Sequence, residues 1–478
     1  MPETSTFKRL RPCGRAETFS TSRHHLGFFK NVSFAATYSN PASSIPLHTL
    51  ICNALRAVIA RHSILSAIPF NENKSYPDVY FARLPAIDLK ACVEFAEKKG
   101  HFEGDDRDKE LEGVLQQQHN RNFQENLGTK PLWRLVVLHS SGDSTKFMAI
   151  WVFHHALADG SSGHVFHRTF LAALQASSTN PPVDDPTDPI VKTPETPLIP
   201  ALEDLHTLPI STFFLIKALL TSIFPNWFNP RPERLWTGNA ISEDPSKLNT
   251  KVRSLVLTLS ATKKLLDLSR KNRTTLQATL QCILASAVLA TLDGKEFERV
   301  RISGPISLRP FMRWDAGSLD DELVNGVSEY TFVHSRNSEN DTDFSWDTAR
   351  AVRAEIQSEL DKKGNNNVVG LLRYVSDIHK YFTEKMGKDR DISVELSNVG
   401  VWKNTKGIED GWSVGRCVFS QSPNVAGAAI PVSVVTGGDG AAVMVFTWHE
   451  GTVEDAFVEK VVRSVGDAVQ RLITVESI

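Results

Sequence analysis

The residues with the clearest chemical potential in this chain are His154, His155, Asp159 and Gly160, spaced as HHxxxDG. Four specified positions in that order would arise by chance in about one chain in a thousand of this length. Histidine is the side chain best suited to take and return a proton near neutral pH, so the pattern suggests acid–base chemistry. A general base needs an accessible neutral nitrogen within hydrogen-bond reach of the proton it removes. Side chains alternate across a strand, so only one of two adjacent histidines leaving a strand can easily face a given cleft. His155 is the expected base and His154 the supporting residue packed behind it. Asp159 either orients His155 directly or holds the turn through an arginine. The second is favoured, because a buried carboxylate needs a charged or multiply hydrogen-bonded partner. Gly160 permits a tight backbone where a larger residue would obstruct the turn.

These residues must be positioned by what flanks them. The apolar run at 147–153, FMAIWVF, reads as a buried strand. Phe166, Phe170 and Leu174 recur every four residues, which predicts a helix carrying the chain away. Residues 132–138 and 146–153 read as neighbouring strands joined by Ser140-Ser141-Gly142-Asp143. Leu47, Leu50, Ile51, Leu55, Val58 and Ile59 predict a helix over 46–62. Residues 177–200 are dense in proline, serine, threonine and aspartate, and predict an extended surface linker rather than a helix or a ladder strand. Beyond it, 254–259 alternates as a strand, and Ser260 is the expected N-cap of the following helix. A largely buried helix is expected at 275–292 and amphipathic helices at 344–360 and 453–472. Strands are expected at 299–306, 330–334, 393–396, 429–435 and 442–448. The reading is α/β, with an N-terminal unit over 1–176, a connector with an apolar segment over 177–250, and a C-terminal unit over 251–478.

Composition narrows the function classes. A length of 478 residues exceeds one ordinary domain, and 41% apolar with 23% charged residues describes a globular chain with sizeable cores. A net charge of −2 without a basic block gives no reason to expect a nucleic-acid partner. Cys13, Cys52, Cys92, Cys282 and Cys417 are scattered without a CxxC pair, which suits free thiols in a reducing compartment. The polar N-terminus lacks the apolar core of a secretory signal, so a cytoplasmic location is expected. The apolar segment 208–224 is short for a membrane span. It is expected either to pack on the protein or to make weak interfacial contact, the latter placing the chain at the periphery of an internal membrane.

With the motif set between a strand and a helix, the chain resembles the coenzyme A-dependent acyltransferase superfamily. That superfamily includes chloramphenicol acetyltransferase, the plant BAHD acyltransferases and the condensation domains of peptide synthetases. Within it the chain is most similar to the fungal alcohol acetyltransferases. Supporting landmarks are Arg61-His62-Ser63-Ile64-Leu65, Pro131-Leu132-Trp133-Arg134-Leu135, Pro305-Ile306-Ser307-Leu308-Arg309-Pro310 and Leu396-Ser397-Asn398-Val399-Gly400. The DFGWG element of the plant branch is absent.

The resemblance implies two chloramphenicol-acetyltransferase-like halves, each a mixed sheet with helices, with a tunnel between them. Coenzyme A would enter one face and the acceptor the other, meeting at His155. It also implies that Asp159 is structural and paired with an arginine, for which Arg309 is the candidate. Ser397 and Asn398 would lie beside the tunnel, positioning substrate or the developing oxyanion. Acetyl-CoA is the implied co-substrate, with no permanently bound cofactor and no metal. The implied acceptor is a small-molecule alcohol such as a secondary-metabolite hydroxyl, with an amine as the alternative, and the chain is expected to act as a monomer. Lys263, Lys264, Arg270, Lys271 and Arg273 are candidates for the phosphates of coenzyme A, although a solvated basic face is the plainer reading.

Three other readings compete. The motif could be a satisfied turn with Asp159 capping the helix. It could be a metal site using His154, His155 and Asp159, but adjacent histidines rarely share one ion, and His164 and His167 fit solvent or helix packing better. It could also belong to a non-catalytic or condensation-type relative that keeps the fold.

Overall fold

The strand Lys146–Phe153 is buried along nearly all its length, and both of its edges are paired. Val32–Ser39 lies antiparallel on one side and Trp133–His139 antiparallel on the other. A central strand covered on both faces must be apolar at successive positions, which explains the unbroken run at 147–153. In this computed structural model, residues 7–40, 45–125, 127–143, 145–179, 188–228, 230–336, 338, 343–403 and 411–475 are described. The front sheet runs in the order Ser413–Gln421, Val32–Ser39, Lys146–Phe153, Trp133–His139, Val93–Glu97, and only its last pair is parallel. Trp151 stacks on Phe153 at 3.9 Å and on Phe166 at 4.4 Å. That aromatic stack fastens the helix Ser162–Thr179 to the strand just across the HHxxxDG turn, with Leu47–Arg61 packed beside it.

The second sheet has seven strands. Its path is Leu235–Trp236, Arg299–Ser307, Val394–Val401, Ile430–Thr436, Ala442–His449, Thr250–Leu257, and Val327–Ser335 pairs with Arg299–Ser307. Leu265, Leu280, Ile283, Val461 and Val465, from the helices Leu259–Lys271, Leu276–Thr291 and Asp455–Val475, pack with the sheet's apolar face into its own core. The architecture is therefore α/β with two sheet-based halves.

Four local expectations differ from what the chain does. The unit expected over 251–478 is not self-contained, because Ser413–Gln421 crosses over and becomes the edge strand of the front sheet, pairing Phe419 with Phe34 and Gln421 with Val32. The stretch expected to avoid a ladder contains Ile190–Lys192, paired antiparallel with Ala86–Asp88. It lies between Pro189 and Pro194 and buries only Val191, which is what a short edge strand requires. The rest of that stretch at 180–187 lies outside the described residues. The helix expected to start after Ser260 starts at Leu259, because the Thr258 hydroxyl accepts from the Ala261 N–H at 3.2 Å and takes the cap. Finally, the apolar helix Thr212–Ile223 is covered only in part: none of its residues is buried, although Phe214, Leu215, Ala218 and Leu220 are half-buried. Among the described residues no single helix is long and apolar enough to cross a membrane.

Candidate active site

The strand ends at Phe153, and the chain turns at once. The His154 N–H still reaches the Leu132 carbonyl at 2.9 Å, and the Leu157 N–H returns to the His154 carbonyl at 3.0 Å. His154 is buried, whereas His155 is half-buried. The two imidazoles have different surroundings.

His154 faces inward. Its Nδ1 accepts the Ala156 N–H at 2.9 Å, so its proton is on Nε2, which lies 3.3 Å from Glu72 Oε1 at an angle poor for a full hydrogen bond. Glu72 Oε2 sits 3.1 Å from His24 Nδ1, and His24 Nε2 accepts the Phe123 N–H at 3.1 Å. Both histidines therefore point N–H groups at one buried carboxylate. Burial raises the Glu72 pKa, but its electrostatic and hydrogen-bonding contacts with His24 and His154 outweigh it and bring it to about 2. Burial, followed by His24, lowers that of His154 to about 4.

The triad His24–Glu72–His154 has the composition of a metal site. Metal-bound imidazoles normally donate their remote N–H to an acceptor, yet here both remote nitrogens accept backbone N–H groups. The arrangement suits a carboxylate held by two donors rather than a cation held by three lone pairs. It braces the back of the turn. Neither His24 nor Glu72 was among the expected site residues.

His155 faces the seam between the sheets. Asn325 Nδ2 donates to the His155 carbonyl at 3.0 Å and lies 3.5 Å from its Nδ1, and that carbonyl in turn favours a proton on Nδ1. Nε2 has no protein partner among the described residues. The Phe29 ring meets the imidazole edge-on at 5.6 Å. Burial, followed by the charge of Arg23, lowers the His155 pKa to about 3, which keeps the ring neutral. A neutral imidazole with a free Nε2 can take a proton.

Asp159 does not touch either histidine ring. Its Oδ1 accepts from Arg309 Nη2 at 2.9 Å and from the Ser162 N–H and hydroxyl at 3.0 Å each. Oδ2 accepts from Arg309 Nε at 3.3 Å and from the Gly326 N–H at 3.1 Å. Burial alone would raise the Asp159 pKa, but the Arg309 charge and these bonds hold it below the ordinary carboxylate value. Arg309 also donates to the carbonyls of Leu319, Glu322 and Val324. The pair thus ties the motif turn to the segment that carries Asn325.

Gly160 is needed for contact between the sheets rather than for an unusual φ. A Cβ there would lie 2.8 Å from Phe419 Cζ and 2.9 Å from Val399 Cγ1. Gly160→Ala is expected to cost about 1–3 kcal/mol of stability, because the added methyl overlaps the Phe419 ring and the Val399 side chain, and the ring is buried. A melting curve indistinguishable from the parent's would contradict this close approach.

Ser397 is buried and Asn398 half-buried on Val394–Val401; the Asn398 Oδ1 accepts the Gly400 N–H at 2.9 Å. The next residue, Val399, abuts Gly160 and accepts from His164 Nε2 at 3.0 Å, so this segment docks against the motif turn. His167 is a packing residue, bonded to the Tyr38 hydroxyl at 2.7 Å and the Phe34 carbonyl at 3.0 Å. Lys263, Lys264, Arg270, Lys271 and Arg273 remain exposed about the outer helix. Two clefts adjoin the turn. One of about 370 Å³ is lined by Leu157, Asn325, His62 and Trp314, and one of about 230 Å³ by Ser161, His164, Arg168 and Trp402.

The two-lobed α/β frame is that of an acyltransferase-like fold, and solved structures share it. The chain aligns with the TRI3 trichothecene 15-O-acetyltransferase from Fusarium sporotrichioides at a TM-score of 0.67 and 12% identity, covering 97% of this chain and 94% of that one. It aligns with the first condensation domain of the calcium-dependent antibiotic synthetase at 0.59 and 14%, covering 97% of each. At these identities the likeness concerns the fold alone. The family model for alcohol acetyltransferases matches residues 12–463, and the chain belongs to that family of acyltransferases. It is 32% identical to the probable alcohol acetyltransferase crmB of Aspergillus fumigatus over 464 residues, 94% of this chain and 96% of the relative. It is 25% identical to the probable alcohol acetyltransferase FCK4 of Fusarium pseudograminearum over 475 residues, 95% and 93% of the two chains.

Proposed function

We propose that this chain transfers an acetyl group from acetyl-CoA to the hydroxyl of a small-molecule alcohol, with His155 as general base. The observation that carries the reading is the half-buried imidazole of His155, whose Nε2 has no protein partner among the described residues and which burial favours in its neutral form. His155 Nε2 takes the acceptor's hydroxyl proton as that oxygen attacks the thioester carbonyl. The tetrahedral intermediate collapses by breaking the C–S bond, and the imidazolium returns its proton to the departing thiolate. Holding both substrates at one seam supplies the proximity contribution, so no covalent enzyme intermediate is required. Ser397 and Asn398, on the segment docked against the motif, are the candidates for a donor to the oxyanion. Asp159 and Arg309 act as a brace. Arg168 and Lys403, on the cleft beside Ser161, offer cations suited to the phosphates of the donor, which is a co-substrate rather than a resident cofactor. The test is release of free thiol from acetyl-CoA across a panel of alcohols and amines, with His155→Ala as the comparison. Transfer to amines only would replace the alcohol acceptor with an amine.

A cytoplasmic monomer resting on an internal membrane is the proposed setting, and the exposed helix Thr212–Ile223 supports the membrane contact alone. Phe213, Ile216, Leu219 and Ile223 are exposed at helical spacing on one side, continued by the exposed Phe224, Trp227 and Phe228. Twelve residues reach about 18 Å, too short for a bilayer core of about 30 Å but suited to lying in its interface. Lys217 is the one charged residue in the helix, so apolar burial would dominate over charge attraction. Binding to phosphatidylcholine vesicles is expected to persist in high salt and to fall at least about ten-fold in Phe213→Asp/Ile223→Asp. Vesicle sedimentation that leaves the parent in the supernatant would refute the contact.

A further inference from the structure

The cleft of about 370 Å³ beside the motif turn has the size of a small-molecule site, about 300–1,000 Å³. The motif itself reaches it through Leu157. Asn325, in the same wall, donates from Nδ2 to the His155 carbonyl at 3.0 Å, and the Val324 carbonyl accepts the Asp159 N–H at 3.0 Å. The cleft is therefore fixed to the turn that carries the base. Ile64, Leu157, Leu202, Met312 and Val324 are buried and Trp314 half-buried around it, so an apolar ligand gains by leaving water there.

Four charged side chains line the cleft, and they cancel in two pairs: Arg11 meets Glu17 at 2.7 Å, and Arg61 meets Glu322 at 2.7 Å. Burial, followed by the charge of Arg61, lowers the pKa of His62 in this wall to about 3, so that ring is neutral. An ionised ligand would lose its hydration here without gaining a counter-ion. The neighbouring cleft differs, because Arg168, Arg309 and Lys403 accompany one carboxylate, Asp320. Two buried acceptors in the wall of the neutral cleft also lack donors. His62 Nε2 lies 2.9 Å from the Thr169 hydroxyl, whose own hydrogen goes to the Val165 carbonyl at 3.1 Å. The ring proton is thus on Nε2, and Nδ1 holds a free lone pair. Thr169 is not part of the cleft wall, whereas Glu322, 3.9 Å from Nδ1, is, so the lone pair is on the cleft side. Asn325 gives its N–H to His155, and its Oδ1 accepts nothing. Native chains rarely leave such atoms unpaired. An alcohol O–H supplies the missing hydrogen, and an ester, ether or ketone does not.

We propose that this cleft is the acceptor site and that it takes uncharged alcohols with an apolar body. The proposal rests on the acetyl-transfer reading above and names the acceptor class within it. The experiment uses the full chain with acetyl-CoA and three probes of one shape. They are 4-isopropylbenzyl alcohol, the cationic 4-(dimethylaminomethyl)benzyl alcohol and the anionic 4-(hydroxymethyl)benzoate. The neutral probe should give a kcat/KM at least about ten-fold above both others. Breaking one ion pair should tilt that preference with a definite sign. Glu322→Gln strands the Arg61 charge and should raise the anionic probe against the neutral one by about three-fold or more. Arg61→Gln strands Glu322 and should raise the cationic probe instead. Each ratio compares substrates on one protein, so partial loss of folded enzyme cancels. By calorimetry without acetyl-CoA, 4-isopropylbenzyl alcohol should bind the parent at least about five-fold more tightly than its acetate ester, and His62→Phe should narrow the gap.

A parent indifferent to probe charge, or pair variants without opposite tilts, would overturn the assignment. So would equal affinity for the alcohol and its ester. A pair variant that raises KM for acetyl-CoA more than that for the acceptor would give the cleft to the donor and end the proposal. If the parent acetylates no alcohol at all, the acetyl-transfer reading fails, and the cleft is then judged by calorimetry. Tighter binding of the neutral alcohol than of both charged probes, tilted in the stated directions by the two variants, would sustain it as a site for such alcohols; equal binding would end it.

Discussion

Alanine at position 155 is expected to slow acetyl transfer to an alcohol by about 10²–10⁴-fold while leaving the chain folded. The imidazole touches Phe29 and Asn325 and is half-buried, so its removal takes away the proton acceptor without emptying a core position. A folded His155→Ala protein that released thiol as fast as the parent would exclude the base role. The pH profile gives an independent check with a definite sign. Because the His155 pKa is lowered to about 3, the ring stays neutral as the pH falls through the ordinary histidine value of 6.5. The kcat/KM of the parent should therefore hold level through that region and decline only well below it. An acid limb centred on pH 6.5 would mean that a different, unperturbed group is the base. Arg23→Met removes a positive charge acting on the ring, so it should move any acid limb upward, never downward.

Asp159→Asn is expected to cost about 3–5 kcal/mol, as other broken buried ion pairs do, because Arg309 keeps its charge and loses its counter-ion. The carboxylate accepts five hydrogen bonds, from Arg309, Ser162 and Gly326, and an amide can accept through only one of its two positions. Differential scanning calorimetry should show the midpoint falling by several degrees. Activity should fall as well, since Arg309 fixes the carbonyls at 319, 322 and 324, and Asn325 in that segment bonds the His155 backbone. The variant Asp159→Leu/Arg309→Met should recover part of the stability without recovering the rate, because it removes the stranded charge but not the need for the brace. A normal midpoint in Asp159→Asn would refute the structural role. An unchanged rate in a destabilised Asp159→Asn would separate the brace from the chemistry.

Much of the front half was legible because its signals are local. The run 147–153 is apolar at successive positions, as a strand covered on both faces must be, and Phe166 and Phe170 mark the helix that stacks on it. The strands and helices expected beyond 250 appear within a few residues of their places, and the shift from Ser260 to Thr258 is a choice between two hydroxyls that local sequence does not resolve. The pairing of Asp159 with Arg309 was expected from family resemblance, since no spacing in the chain points one at the other. The layer behind His154 was missed entirely. His24, Glu72 and Phe123 lie far from the motif in sequence and carry no pattern of their own. The crossing of Ser413–Gln421 into the front sheet was missed for the same reason, as strand pairing across some 380 residues leaves no periodic trace.

The sequence by itself determined the turn between a buried strand and a helix, the residue types able to move a proton there, and the α/β character of both halves. These follow from side-chain chemistry and from periodicities that act over a few residues. Only the tertiary structure decided what each histidine meets, Glu72 behind His154 and Asn325 beside His155, because these partners come from distant parts of the chain. It also placed the guanidinium of Arg23 on the ring that meets His155, and Gln421 against Glu395 across the two sheets. A hydrogen bond senses distance in space and a propensity senses distance along the chain. The motif was therefore readable from the sequence, while its surroundings had to await the fold.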